Sequence, residues 1–312
     1  MGRPIRDLNP SHIRLVTIRT EEAKLFMAPT AENGEKINEI VGGVIAKYQA
    51  MFSIVIYAYV VCGNHYHILL RAPESNLWRF SQAINREIAK RINSLLGRKG
   101  HFWYRRYDDQ VVLEGGDALE ALIYIICNPV NHGLVEDPRE WPGLNCLEQL
   151  FSGEARIFSF FDGTAYSVAR RKAKKGKEVD PEDYKDEYSL VLSPLPIFEG
   201  SSHEEMADKI EALVKERCEE IKADRRKESK GFLGIENIRN QSPFSVPKSV
   251  KNSPRPLCYS KCSEAKKLFL GIFLSFVETY REASRRFRSG DLSTLFPPFT
   301  IKPPLLYILS EA

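Results

Sequence analysis

The first half of the sequence predicts an α+β domain, in which helices pack on an antiparallel sheet. Two runs rich in β-branched and aromatic residues, Phe52–Val61 and His65–Arg71, are separated only by a short break at Gly63-Asn64. Such spacing is typical of an antiparallel hairpin. Apolar residues also recur at helical spacing before and after this hairpin. Strands and helices therefore mix along the chain without a strict βαβ order.

The other elements of this half follow from their local patterns. Five segments are predicted as strand, helix, helix, strand and helix, in that order: His12–Arg19, Gly34–Met51, Asn76–Leu96, Asp109–Glu114 and Ala118–Cys127. Asp117 is the predicted N-cap of the last helix. Asn128-Pro129 is predicted to end that helix, because proline lacks the backbone donor that a helix needs.

The chain has 312 residues, of which 43% are hydrophobic, enough for one large domain or two smaller ones. We predict a first domain over residues 1–150. Residues 151–190 are predicted as a charged linker, since the stretch from Ala169 to Tyr188 is charged and poor in hydrophobic residues. Residues 191–312 are predicted as a mainly helical extension and a candidate accessory DNA-binding region.

Composition also bears on location. No apolar run has the length of a membrane span, and the first residues lack the apolar core of a signal peptide. The six cysteines are scattered, as is typical of reduced thiols. We therefore expect a cytoplasmic protein with no membrane partner.

Net charge is only +4, with 45 basic and 41 acidic residues, so it excludes little. Local charge is more informative, because the segment between Asn76 and Tyr107 carries eight basic residues and one acidic residue. This segment is a candidate phosphate-binding face. The alternative is a solvated helix face followed by a charged turn, and charge alone does not choose between them. The basic residues are Arg79, Arg86, Lys90, Arg91, Arg98, Lys99, Arg105 and Arg106.

His65-Tyr66-His67 is a candidate metal-binding motif on the second strand of the hairpin. Residues i and i+2 of a strand point to the same face, about 6–7 Å apart at Cα. Two neighbouring imidazoles suit one metal ion. Taken alone, the pattern more often marks two histidines near a turn with no metal.

Two further motifs carry reactive or binding groups. Tyr124 and Asn128 are four residues apart and share a helix face, so a phenol and an amide oxygen meet there. A tyrosine in a helix is more often a core residue with its hydroxyl at the rim. The segment Gly100–Tyr107 interleaves aromatic residues with arginines, which suits base stacking and phosphate contact. Its alternative role is to close the hydrophobic core.

Taken in order, these motifs resemble the HUH-type single-tyrosine transposases, and especially the REP-associated tyrosine transposases. The resemblance is carried by the runs Asn64–Leu70, Gly100–Tyr107 and Tyr124–Val130, the last followed by Gly133-Leu134-Val135, and it covers Ser11 to Leu150. The chain departs from the family's pattern at two positions. Gly63 stands where members often have proline, and Ile126 stands where they often have histidine.

The resemblance implies a ferredoxin-like antiparallel sheet with packed helices, the HUH nuclease fold. It implies that Tyr124 is the nucleophile that cuts and rejoins single-stranded or hairpin DNA through a covalent 5′-phosphotyrosine. His65, His67 and Asn128 would then hold Mg²⁺ or Mn²⁺. Members of this family occur as monomers and as homodimers. The expected DNA contacts are Arg79, Arg86, Lys90, Arg98, Lys99, Arg105 and Arg106.

Two alternatives remain open at this stage. In the first, the chain is a catalytically inactive or repurposed descendant that binds hairpin DNA or RNA. In the second, the histidine pair holds a structural zinc ion that stabilises the domain.

Overall fold

A computed structural model of the chain describes residues 5–173, 178–247 and 256–304. Its strands are β1 (Ile13–Arg19), β2 (Val55–Val61), β3 (His65–Arg71), β4 (Asp108–Val112), β5 (Arg156–Phe161), β6 (Lys185–Leu190) and β7 (Cys258–Tyr259). Within the described residues, five of these strands form a central sheet in the order β2-β3-β1-β4-β7, and β5 and β6 pair separately. The helices are α1 (Gly34–Met51), α2 (Leu77–Leu95), α3 (Gly115–Ile126), α4 (Asn128–Asn131), α5 (Leu147–Ser152), α6 (Gly163–Lys172), α7 (His203–Lys227), α8 (Ile235–Arg239) and α9 (Ser263–Arg288).

The central sheet is antiparallel except at one edge. β2 and β3 form the expected hairpin, and β1 pairs antiparallel with both β3 and β4. The two-residue strand β7 joins β4 in parallel at the edge. The predicted α+β class, with an antiparallel sheet and packed helices, is therefore confirmed.

Helices cover both faces of this sheet. Because side chains alternate along a strand, Tyr66 points away from the two histidines that flank it. The Tyr66 hydroxyl donates to Oδ1 of Asn85 on α2 at 2.8 Å, whereas the ring of His67 lies 5.4 Å from that of Tyr124 on α3. α2 and α3 consequently lie on opposite faces. The face covered by α2 is well packed: Phe80, Ile84, Ile88 and Ile92 are all fully buried.

The structure corrects the predicted start of α3. The helix begins at Gly115 with Glu114 as its N-cap residue, so Asp117 is not the N-cap. The Asp117 carboxylate instead accepts the backbone N–H of Lys261 at 2.8 Å, which ties the chain after β7 to α3. At the other end, α3 stops at Ile126 and a short helical turn, α4, begins at Asn128.

Residues 151–190 were expected to be a linker, and their described part differs from that expectation. β5 and β6 pair antiparallel, with α6 between them, and Phe158 and Leu190 are buried. Gly42 and Gly43 of α1 allow this unit to approach, since a Cβ at Gly42 would lie 2.2 Å from the Phe158 ring and one at Gly43 would lie 2.5 Å from the Ser159 carbonyl oxygen. The segment is highly charged, but a few apolar residues that alternate along β5 are enough to pack it against α1.

The described C-terminal part is mainly helical, as expected. α7 packs against α3, α4 and α5, and its buried residues include Met206, Ile210 and Val214. α9 lies beside the edge strand β7. Within the described ranges, no helix has both the length and the apolarity needed to cross a bilayer.

Candidate active site

The two histidines of β3 lie side by side on the sheet face that α3 covers. Their ring centroids are 5.0 Å apart. His67 is buried and His65 is half-buried. The register between β1 and β3 places Arg19 opposite His65 and Thr17 opposite His67. The i, i+2 geometry expected for this motif is thus present in the structure.

Each imidazole is oriented through its Nδ1 atom. Nδ1 of His65 lies 2.7 Å from Oδ1 of Asn64, and Nδ1 of His67 lies 2.6 Å from the Thr17 hydroxyl oxygen. The amide oxygen of Asn64 can only accept, so it selects the Nδ1–H tautomer of His65. Nε2 of His65 is then a lone-pair donor toward the site. Partners of this kind orient histidines that ligate metals.

Both histidines are held in the neutral form. Burial lowers the pKa of His67 to about 3, with smaller contributions from His132 and Arg19. Burial, together with the nearby His67 and His132, also holds the pKa of His65 well below its usual value. Neutral imidazole is the form that binds a metal ion. The pair is therefore ready to ligate without losing protons.

Asn128 supplies a third donor. Its side chain is fully buried, and its Oδ1 lies 3.3 Å from Nε2 of His65. The Cys62 thiol donates to the same oxygen at 3.1 Å. Nδ2 of Asn128 has no hydrogen-bond partner within the described residues. In this arrangement two lone-pair donors face each other, and a cation between them would satisfy both.

The donor set fits a divalent cation. Across the described residues, no group of three His, Cys, Asp or Glu side chains is arranged to hold a metal ion. Two imidazoles with the amide oxygen of Asn128 would make a three-ligand site. Such a set suits Mn²⁺, accepts Mg²⁺ less typically and is also compatible with Zn²⁺.

Tyr124 reaches this group from α3. Its ring lies 5.4 Å from that of His67. Burial raises the pKa of Tyr124 above its ordinary value, although the neighbouring side chain of Asn128 partly offsets this. The side chain is accordingly a neutral phenol at neutral pH. Of the sequence-predicted site residues, His65, His67, Tyr124 and Asn128 all lie together.

Sequence reasoning missed His132 and Thr17. The ring of His132 lies 5.2 Å from that of His65, at the exposed end of α4. The sequence could have indicated His132, because it comes eight residues after Tyr124. Eight residues are about two helical turns, so the two side chains would lie on the same side of a helix. Thr17 carries no such signal, since its contact depends on the register between two strands far apart in sequence.

The predicted DNA contacts on α2 are not brought to this site. Arg79, Arg86 and Lys90 are exposed, but α2 covers the opposite face of the sheet. Arg105 and Arg106 are placed differently. The backbone N–H of Tyr104 donates to the carbonyl oxygen of Arg19 at 3.0 Å. Arg105 and Arg106 come directly after Tyr104 in the chain and are exposed. Both therefore lie near the end of β1 where Arg19 is opposite His65.

Arg98 and Lys99, although adjacent, have different surroundings. The Arg98 guanidinium stacks 3.9 Å from the Phe26 ring centroid and donates to the carbonyl oxygen of His101 at 2.8 Å. It also donates to Oδ1 of Asn93. Its side chain is only 13% exposed. Lys99 is exposed. Arg98 thus braces the end of α2, and Lys99 is the better placed of the two for a phosphate.

The paired-histidine strand and the tyrosine helix lie on one face of an antiparallel sheet. Residues 11–123 match the family model described as transposase, IS200-like. That match includes His65 and His67 and ends one residue before Tyr124. Within this class, the chain belongs to the family of REP-associated tyrosine transposases.

Two relatives and one solved structure are similar to part of this chain. The chain is 32% identical over 121 residues to the REP-associated tyrosine transposase of Escherichia coli K12, an alignment that covers 37% of this chain and 68% of the relative. It is 27% identical over 96 residues to a Haemophilus influenzae counterpart, covering 27% of this chain and 54% of that relative's length. A solved REP-associated tyrosine transposase bound to a REP hairpin is 18% identical, with a TM-score of 0.37, and the match covers 62% of this chain and 98% of that one.

Proposed function

We propose that this chain cuts and rejoins single-stranded DNA through a covalent 5′-phosphotyrosine on Tyr124. One observation carries the proposal. The ring of Tyr124 lies 5.4 Å from that of His67, and Oδ1 of Asn128, one helical turn after Tyr124, lies 3.3 Å from Nε2 of His65. The candidate nucleophile and the candidate metal ligands therefore converge on one place.

His65, His67 and Asn128 would hold a divalent cation, Mg²⁺ or Mn²⁺. When bound, such a cation neutralises charge that develops on a phosphate oxygen. The protein's own groups do the rest. Asn64 and Thr17 fix the orientation of the two imidazoles, and α3 places the ring of Tyr124 5.4 Å from that of His67.

The proposed reaction conserves bond energy. The oxygen of Tyr124 attacks phosphorus, a new O–P bond forms, and the bond to the 3′ oxygen breaks. The phenol proton is lost and the departing 3′ oxygen gains one. Because the phosphotyrosine keeps the phosphodiester energy, the strand can be rejoined without ATP. An activated water would release that energy and prevent rejoining.

The proposed substrate is single-stranded DNA that carries a hairpin. The "REP-associated" name of the relatives supports this proposal. The exposed Lys99, Arg105 and Arg106 lie on the segment that follows α2 and are available for phosphate contacts. Genomic sequence flanking the gene is the natural source of candidate hairpins.

The test is covalent capture of DNA. Single strands labelled at the 3′ end should form a denaturation-resistant adduct with the protein when Mn²⁺ or Mg²⁺ is present. Tyr124→Phe should abolish the adduct and leave DNA binding intact. Tyr104→Phe removes the hydroxyl of an exposed tyrosine and is the matched control. An adduct that persists in Tyr124→Phe would contradict the assignment of the nucleophile.

A binding module without catalysis is the second candidate, favoured by Ile126 at a position where the family often has histidine. It predicts salt-sensitive hairpin binding with no adduct on any substrate.

A structural zinc site at the histidine pair is a further alternative. It predicts a tightly bound zinc ion whose removal unfolds the domain.

A further inference from the structure

The hairpin turn places a buried thiol inside the candidate metal site. Cys62 follows β2 directly and is 2% exposed. Its backbone N–H donates to the carbonyl oxygen of His65 at 2.8 Å, so the turn holds it beside the first histidine. Its Sγ lies 3.1 Å from Oδ1 of Asn128. The reaction proposed above gives this thiol no role.

The contact between Cys62 and Asn128 has one direction. An amide oxygen can only accept a hydrogen bond, so the S–H of Cys62 is the donor. Burial raises the pKa of Cys62, and the thiol therefore keeps its proton at neutral pH. An amide oxygen has two lone pairs, of which the thiol takes one. The second stays free for a cation, so the thiol does not compete with a metal ion.

An amide side chain can turn over and exchange its oxygen with its nitrogen at almost no change in shape. For Asn128 to act as a ligand, its oxygen must face the site. Nδ2 of this fully buried side chain lacks a hydrogen-bond partner in the part of the chain that the structure describes, so that end does not select the orientation. The contacts made by Oδ1 must select it.

The two neighbours of Oδ1 act in opposite directions before a cation binds. Nε2 of His65 lies 3.3 Å away and presents a lone pair, since Nδ1 of the ring carries the proton. Two facing lone pairs repel, so His65 alone would favour the reversed amide, with Nδ2 of Asn128 donating to Nε2. The S–H of Cys62 favours the oxygen instead. It is therefore the contact that keeps Asn128 ready to bind a metal ion.

We propose that Cys62 is a positioning residue, whose S–H holds the amide oxygen of Asn128 toward His65 so that a cation meets three preset ligands. The inference rests on the proposed function, because it takes Asn128 as a metal ligand. It gives this ligand the kind of outer partner that Asn64 and Thr17 give the two imidazoles. A ligand already fixed in its bound orientation has less freedom to lose, which strengthens binding.

A bond between sulfur and the cation is the competing arrangement. It requires a thiolate and would favour Zn²⁺ over Mn²⁺ or Mg²⁺. The hydrogen bond to Asn128 and the raised pKa of Cys62 both favour the neutral thiol. Cys62 therefore acts through Asn128.

The test is the Mn²⁺ affinity of the full chain without DNA, measured by titration calorimetry. Cys62→Ala should bind about tenfold more weakly, at the lower end of what loss of such a partner costs, because a thiol is a weak donor. Cys62→Ser keeps a donor and should recover most of the loss. Cys146→Ala is the matched control, because it also removes a fully buried thiol, at the residue that precedes α5, and it should not change the affinity. Denaturant melts verify that every variant is folded.

Infrared spectroscopy of the metal-free protein tests the hydrogen bond itself. The S–H stretching band that Cys62→Ala removes should move to higher frequency in Asn128→Ala, because the thiol loses its acceptor. A band that does not move overturns the inference, whether or not the protein binds a metal ion or cuts DNA.

The affinities separate the remaining outcomes. If Cys62→Ala binds Mn²⁺ as tightly as the unmodified protein, or if Cys62→Ser binds it no better than Cys62→Ala, the inference is overturned. With Co²⁺ as the probe, a sulfur-to-metal charge-transfer absorption that Cys62→Ala removes would show that sulfur is a ligand, and this also overturns it. An unmodified protein that binds no Mn²⁺ instead overturns the metal site of the proposed function, and the positioning role with it.

Discussion

The hydroxyl oxygen of Thr17 lies 2.6 Å from Nδ1 of His67, across the pairing of β1 with β3. The two residues are direct register partners, so the sheet itself sets the contact. Through it, the backbone register of two strands controls which nitrogen of His67 faces the candidate metal site. For His65, the contact between its Nδ1 and Oδ1 of Asn64 in the hairpin turn sets which ring nitrogen faces the site.

We predict that Thr17→Val weakens metal binding without unfolding the protein. Valine keeps the shape and β-branching of threonine but loses the hydroxyl, so His67 loses the partner that orients it. Loss of such a partner typically costs about 10–100-fold in metal affinity. Titration calorimetry with Mn²⁺ measures the change. Thr17→Ser keeps the hydroxyl and should bind nearly as the unmodified protein does. Equal losses in both variants would show that the hydroxyl does not orient His67.

Asn128→Ala should remove the third ligand of the candidate metal site, whose Oδ1 lies 3.3 Å from Nε2 of His65. We expect Mn²⁺ affinity to fall at least as far as for Thr17→Val, and the DNA adduct to be lost. Asn131→Ala is the control, since Asn131 is exposed on the same short helix. The two variants are compared by calorimetry and by adduct formation. An Asn128→Ala protein that binds Mn²⁺ normally would exclude Asn128 as a ligand.

Spacing between residues close together in the sequence located His65, His67, Tyr124 and Asn128, whereas the contact of Thr17 depends on the pairing of distant strands. The i, i+2 rule placed His65 and His67 together, and the i, i+4 rule placed Tyr124 and Asn128 together. Thr17 is 50 residues from His67 in the chain, and no local pattern reveals which residues of distant strands are opposite each other. Their roles in metal binding and catalysis remain predictions.

Arg98→Ala and Lys99→Ala should separate stability from DNA binding. Arg98 stacks on Phe26 and makes two hydrogen bonds at the end of α2. Its loss should lower the free energy of unfolding by about 1–3 kcal/mol, because the cation–π contact with Phe26 and two hydrogen bonds are lost. Lys99→Ala should leave stability unchanged and should reduce the salt dependence of DNA binding by about one phosphate contact. Denaturant melts and binding at several salt concentrations measure both. Equal stability of the two variants would contradict the bracing role.

The composition of residues 151–190 did not predict the β5–β6 unit. These residues are highly charged overall, which favoured the prediction of a linker. Its folding depends on a short alternating run at Phe158 and Phe160, and on Gly42 and Gly43, which lie more than 100 residues earlier and leave room for it. Sequence patterns report local amphipathicity but not the steric fit between distant segments.

We therefore predict that Phe158→Ala destabilises the whole protein. Phe158 is 1% exposed and packs on α1, so truncation should lower the free energy of unfolding by about 3–5 kcal/mol. Ile157→Ala, on the preceding and exposed position of the same strand, should change it by less than about 0.5 kcal/mol. Denaturant unfolding distinguishes these outcomes. If neither variant is destabilised, the unit does not dock on α1.

The neutral histidine pair should make the stability of the metal-free protein depend on pH. The pKa of His67 falls to about 3 in the folded chain and that of His65 lies well below 6.5, whereas both are near 6.5 when unfolded. As pH falls below 6.5, the unfolded state binds protons that the folded state does not, so the free energy of unfolding decreases. Above that pH the pair contributes no pH dependence. Denaturant melts at a series of pH values measure the slope. The double substitution His65→Gln and His67→Gln should flatten it between pH 6.5 and 3, while carboxylates still contribute to both proteins. An unchanged slope would show that the two histidines are protonated in the folded chain.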